Sequence, residues 1–265
     1  MDTKNHMIAN LEKGQMAVYQ NGETNLHAYR TNDPIDNEVF IVERNGRGVA
    51  IESPCFFDNN EELESYAKEH GIEIVGMLIA YHGAGATVFP GAARYSTRNA
   101  DEYNHTGGGR ALVDNFESAF GDAFDASIHE TTDFLEEGPA IIGGIEFVIE
   151  NTPDAFDIEI PALNAVYTHM LGHDCHSIVA GSDHADAMVA QLEGYLERGY
   201  DLVLTSHYTP ESLKDVETKI AYLEKLKDLA TRASSADEFK AQAKQSFPAY
   251  SGENYLDMTA GFFFA

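Results

Sequence analysis

IPALNAVYTHMLGHDCHSIVAG, residues Ile160 to Gly181, is the stretch on which the fold turns. It carries His169, His173 and His176, three of the chain's eleven histidines, with Asp174 and Cys175 between the last two. Ala165-Val166-Tyr167 reads as a strand before the histidines, and Ser177 to Ala180 as another after them. The Met-Leu-Gly-His turn between them would set imidazoles on a loop at a sheet edge, where functional groups are commonly carried. Two further apolar runs close on histidine: Gly76–Tyr81 before His82, and Asp201–Ser206 before His207. Three strand ends that each finish on an imidazole predict one shared site.

Outward from that stretch, the first half reads as strand and turn. Met16–Tyr19 and Leu26–Tyr29 flank Asn21-Gly22, and Glu38–Glu43 and Gly48–Glu52 flank Asn45-Gly46, both hairpin signals. Asn59 is placed as the cap of a helix ending near His70-Gly71, and Ile72–Tyr81 follows as a buried strand. Tyr95 to Gly109 reads as a flexible polar loop. Its triple glycine lacks the Lys-Ser/Thr of a phosphate-binding loop. Ala111–Phe124 reads as a short helix. In the second half a hairpin is expected about Gly143-Gly144, a helix over His184–Arg198 capped by Asp183, a strand over Tyr200–Ser206 and a long helix opened by Pro210-Glu211. A last helix ends at about Ser246. The aromatic tail after it would be costly if exposed, so it is expected to dock on the body or on a second copy of the chain.

Composition narrows the function classes. The chain has 265 residues, 43% hydrophobic and 11% aromatic, enough for a large core. Its 17 basic and 44 acidic residues leave a net charge of −27, which disfavours nucleic acid and anionic membrane surfaces. Cys55 and Cys175 make no disulfide framework and read as buried thiols. No apolar run approaches the ~18 residues of a membrane span, and the first residues lack the apolar core of a signal peptide. A soluble protein is expected, with a cytoplasmic location favoured over loss of a leader.

The order of these elements resembles the metallo-β-lactamase superfamily, from about Leu26 to Ala230. Ile51-Glu52-Ser53-Pro54 stands where that family has an IDTG-like turn, with Glu for Asp. The family's H-x-H-x-D-H corresponds to the frame from His82, where only the first His survives and Ala84, Ala86 and Thr87 replace the others. Gly172-His173 matches the later Gly-His, and Ser206–Pro210 the final His before a proline. The resemblance implies an α+β chain, a four-layer αββα sandwich forming a single domain over 1-265. Its two pseudo-repeat halves would span about 16-135 and 138-233, followed by the C-terminal helix and tail at 236-265.

For function, the resemblance implies a degenerate, hydrolase-like member. Its first metal would keep His82 and His173, and its second would keep only His207. Asp183 stands by position where a bridging Asp would fall, although helix capping also explains it. His176 or His169 would replace a lost ligand, or else would brace the turn by hydrogen bonding. Asp174 would orient an imidazole or be a surface residue. A hydrolytic zinc site needs about three protein ligands, so at most one zinc ion is expected, on His82, His173 and His207 with help from His176. These residues would act on an ester, lactone, amide or phosphoester. The alternative is a metal-free member that binds a small molecule or serves in assembly through its aromatic tail.

Overall fold

The computed structural model describes residues 6–169 and 172–264. Met170 and Leu171 of the expected histidine turn lie outside the described residues. The chain divides into two compact units, Met1–His169 with Leu204–Pro210, and Met170–Val203 with Glu211–Ala265.

The first unit opens with two hairpins. Strands β1 (Met7–Asn10), β2 (Gln15–Asn21), β3 (Thr24–Arg30), β4 (Glu38–Arg44) and β5 (Arg47–Ile51) run antiparallel in sequence order. Gly22 and Gly46, with φ of +62° and +78°, turn the two Asn-Gly hairpins. Helix α1 (Phe57–Glu69) crosses over to β6 (Glu73–Leu78), which pairs parallel with β5, and β7 (Ala93–Ser96) and β8 (Asp133–Phe134) extend the sheet in parallel. A second antiparallel sheet begins with β9 (Gly138–Ile142), β10 (Ile145–Asn151), β11 (Phe156–Ile160) and β12 (Ala165–Thr168). It continues into Leu204–Pro210, which carries the ends of β13 (Leu202–Thr205) and β14 (Tyr208–Glu211). Met16, Tyr29, Ile41, Leu63, Met77 and Val88 form one buried cluster of this unit, and Phe56, Val113 and Phe124 belong to a second.

Several local expectations are corrected. Asn59 does not cap α1: Phe56 precedes the helix, and Asn59 sits inside the first turn, where its amide donates to Tyr29 Oη at 2.8 Å and to the Thr31 carbonyl at 2.9 Å. The polar stretch after Tyr95 is helical over α2 (Arg98–Thr106), capped by Thr97, and α3 begins at Gly108 and runs to Phe120. The three glycines mark the joint between these helices: a Cβ on Gly107 would meet the Tyr103 backbone at 2.9 Å. Pro210 lies in strand β14 and not at a helix start, as suits a residue that donates no ladder bond.

The second unit contains helices α4 (Ser182–Arg198), α5 (Leu213–Arg232), α6 (Ala236–Ser246) and α7 (Glu253–Phe263). Ser212 opens α5 with a capping box closed by Asp215. Gly181 precedes α4 at φ +90°, so Asp183 lies in the first turn and does not cap it; a carboxylate there still complements the helix dipole. Ser177–Ala180 is not a strand. Thr259 of α7 holds it instead, donating to the Ser177 carbonyl at 2.7 Å and accepting the Val179 N–H at 2.8 Å. The aromatic tail is largely helical, with Leu256 and Ala260 buried and Phe263 against Phe239 of α6 at 5.6 Å. Met258 and Phe262 stay about half exposed. Among the described residues no helix is long and apolar enough to cross a membrane.

Candidate metal centre

His82, His169 and His207 come together in the first unit. They are the one group of three or more His, Cys, Asp or Glu among the described residues able to hold a metal ion, with ligand atoms all within 4.8 Å of one another. The rings form a nearly equilateral triangle, with centroids 5.0 Å (His82–His169), 4.9 Å (His82–His207) and 5.1 Å (His169–His207) apart. His82 Nε2 and His169 Nε2 lie 3.0 Å apart, so one carries the proton that the other accepts.

Each ring arrives on a different chain segment. His169 is the first residue beyond β12, His207 the second beyond β13, and His82 follows β6 by four residues. Tyr81 stacks on His169 at 4.8 Å and donates its hydroxyl to Asp157 at 2.6 Å. His207 Nδ1–H donates to the Ile35 carbonyl at 3.2 Å. That bond fixes the tautomer and leaves Nε2 as the lone-pair atom, the arrangement common to metal-bound histidines.

Desolvation lowers the basicity of all three imidazoles and so favours their neutral form. It is the main reason that His82 falls well below the ordinary histidine value, and positive charge on His207 or His169 would add to the effect. His169 is lowered to about 3 by burial and then by His207. His207 is lowered by burial, partly offset by the carbonyls of Ile35 and Asp36. Neutral imidazole is the ligating form. Donors bound to one tetrahedral ion at about 2.0–2.1 Å lie roughly 3.3 Å apart, a spacing within the limit this trio sets. The donor set therefore fits a single ion held by three nitrogens.

Beneath the trio lies a buried polar group. Glu52 directly follows β5 with φ +62°, a conformation uncommon for a residue with a side chain. Its carboxylate accepts the N–H of Tyr81 at 2.7 Å, the N–H of His82 at 3.1 Å and the hydroxyl of Tyr167 at 2.8 Å. Burial pushes its pKa up to about 7 against these three donors, which favour the ionised form.

The positions where the resemblance loses ligands are occupied by structural contacts. Ala84 is buried and bridges Ile128, and the Ala86 N–H donates to the Ser127 carbonyl at 3.2 Å. Thr87 donates its N–H to Asp125 at 3.1 Å and its hydroxyl at 2.6 Å. Arg94 donates to the carbonyls of Val88, Phe89 and Ala92, which closes the loop from the other side. Arg94 also donates to His129 Nδ1, so His129 carries its proton on Nε2 and gives it to Ser53, whose own hydroxyl goes to the Ala84 carbonyl. A histidine that donates to a serine cannot deprotonate it, so this pair is no nucleophile–base couple.

The remaining expected residues stand on other partners, in the second unit. His173 meets Glu211 Oε1 through its N–H at 2.7 Å and Nδ1 at 2.9 Å, with Asp215 at 3.5 Å. His176, 1% exposed, shares a hydrogen bond with the Tyr222 hydroxyl through Nδ1 at 3.0 Å. Lys219, 2% exposed, donates to the carbonyls of Gly172 and Cys175 at 2.9 and 2.7 Å. Asp174 and Asp183 are exposed. The structure thus brings together His82 and His207 of the expected ligands, with His169 as the third. The signal for His169 was its place two residues past Tyr167, at the end of a strand like its two companions.

No protein-family profile matches the sequence, and no curated protein does. Solved structures do. A stereoselective inverting sec-alkylsulfatase from Pseudomonas sp. superposes with a TM-score of 0.64 at 16% identity over 90% of this chain. The chain spans about half of that enzyme, 48% of its length. A metallo-β-lactamase family protein from Thermus thermophilus gives 0.61 at 11% identity over 91% of both chains. A metallo-β-lactamase from Erythrobacter litoralis gives 0.59 at 12% identity, covering 83% of this chain and all of its own. The two sheets, their helices and these likenesses together give the chain the metallo-β-lactamase fold.

Proposed function

We propose that the chain is a hydrolase-like protein that holds one divalent ion, zinc by the softness and geometry of its ligands, on His82, His169 and His207. The observation that carries this reading is the convergence of three imidazoles from three separate chain segments, with all ligand atoms within 4.8 Å. A bound zinc ion supplies Lewis acidity for hydrolysis of a small ester, lactone, amide or phosphoester. The residues of the chain supply the rest. Ile35 fixes the His207 tautomer, Tyr81 braces the face of His169, and Glu52 holds the backbone that delivers His82. A second ion has no comparable donor set among the described residues.

A second reading rests on the Ala84–Thr87 loop, whose contacts to Ser127 and Asp125 are structural. It takes the chain as a metal-free relative that binds a small molecule. Elemental analysis after purification without added metal, followed by zinc and chelator titration of the melting temperature, decides between the two. The first reading expects up to one ion per chain and a zinc-dependent rise in melting temperature that His169→Ala abolishes. Absence of any zinc-dependent shift in wild type selects the second.

A further inference from the structure

We propose that Tyr167 is the positioning residue of the trio, the centre of a buried hydrogen-bonded hub that sets the spacing of all three imidazoles. The Tyr167 hydroxyl lies 2.8 Å from Glu52 Oε1 and 2.6 Å from Ser206 Oγ, and all three residues are fully buried. Each contact is next to a different histidine. Glu52 grips the backbone N–H groups of Tyr81 and His82. Tyr167 is two residues from His169, so on an extended strand their side chains share a face. Ser206 precedes His207, and its carbonyl accepts the Glu38 N–H at 2.7 Å.

The protons form a single directed chain. Tyr167 gives its only hydroxyl proton to the Glu52 carboxylate, so the bond to Ser206 must be donated by the serine. One hydroxyl therefore ties three segments that are far apart in sequence. The left-handed backbone at Glu52, unusual for a glutamate, is what the surroundings must hold to bring its carboxylate under the Tyr81–His82 peptide. The Tyr167 ring packs against Phe40 at 6.0 Å and Tyr81 at 6.3 Å, contacts that a phenylalanine retains.

This inference rests on the metal reading for one of its two readouts and is independent of it for the other. Cobalt(II) titration of the full chain reports affinity and ligand geometry through the visible spectrum. Imidazole 15N–1H spectra of the chelator-treated protein report the His82–His169 hydrogen bond with no metal present. Tyr167→Phe is expected to lose the imidazole bond, to lower cobalt affinity by roughly the 10–100-fold typical of an outer partner, and to alter the cobalt spectrum. Tyr29→Phe is the matched control. Tyr29 is also fully buried in the first unit, with its hydroxyl on Glu62 at 2.7 Å and Asn59 at 2.8 Å. It is expected to lower the melting temperature comparably and to leave both readouts at wild-type values. Retention of both signals in Tyr167→Phe, or equal loss in Tyr29→Phe, overturns the hub. Wild type that binds no cobalt but shows an imidazole bond sensitive to Tyr167→Phe overturns the metal reading and leaves the hub standing.

Discussion

The chain holds two groups of histidines that differ in what surrounds them. In the first unit His82, His169 and His207 face one another, and each ring's nearest ring partners include the other two. In the second unit His173 and His176 each face a protein group of complementary chemistry, Glu211 and Tyr222. Like groups gathered without a carboxylate among them gain little from one another, and burial disfavours charging any of them. Imidazoles paired with an acid or a phenol are already provided for and act as braces. The difference shows that proximity in sequence, as in the three histidines between Thr168 and Ser177, is a poor guide to which imidazoles gather in space. Convergence of strand ends is a better one.

The largest effect that would break this comparison is on metal affinity. His82→Ala or His207→Ala each removes a nitrogen of the trio and should lower zinc affinity by more than the roughly 10–100-fold of an outer partner. Isothermal titration should find His176→Ala within a few-fold of wild type. Equal losses from all three substitutions would merge the two groups into one site.

Acid stability sharpens the contrast next. His27, His129 and His169 are lowered to about 4, 3 and 3 by burial, and His82 and His207 are lowered for the same first cause, all in the first unit. The unfolded chain binds protons at these positions as pH falls through about 6.5, while the folded chain resists, at His27, His129 and His169 until near 3–4. Stability should therefore fall as pH drops below about 6.5. Asp33, Glu38 and Glu52, raised by burial, act in the opposite sense and are fewer. Melts of the chelator-treated protein between pH 7 and 4 should show a steady decline, with hydrogen exchange rising first in the first unit. A level profile would mean that those imidazoles are solvated.

Lys219 tests the brace side. Its ammonium, lowered to about 8 by burial, bonds the carbonyls of Gly172 and Cys175. Lys219→Met keeps the stem but orphans both carbonyls, at about 1–3 kcal/mol for each buried unsatisfied group. Chemical denaturation should show that loss while zinc affinity holds. The smallest effect is that of Tyr222→Phe, which removes the hydroxyl on His176 and Ser177 and should cost about 1 kcal/mol in the same assay. A loss of zinc affinity in either variant would tie the turn to the metal.

Much of the fold was legible because the hairpins advertise themselves. Alternating apolar residues around Asn21-Gly22 and Asn45-Gly46 leave one reading of register, and β2–β5 follow it. The expected helix from Ala111 is there as the body of α3, but α2 and the first turn of α3 were illegible because that stretch is polar and the two helices meet at glycines, a composition shared with loops. Pro210 followed by an acid looks like a helix start, and only the pairing of β14 shows it to be a strand. At the site, His82 and His207 were legible as residues closing apolar runs. His169 was overshadowed by Gly172-His173, which the family resemblance favours. The partners of His173 and His176 come from β14 and α5, more than thirty residues along the chain, and no local pattern announces them.

The loop clamped by Asp125 and Arg94 also bears on how this protein could change. Ala84 is 3% exposed and packs with Phe56 and Phe124, while Gly85 holds φ +89° with room for no Cβ, since one would meet the Pro54 carbonyl at 2.0 Å. An imidazole introduced at Ala84 would have to displace that packing before it reached any ion. A single histidine at Ala84 is therefore expected to cost stability without supplying a ligand, and adding an ion here would require the loop to be rebuilt first.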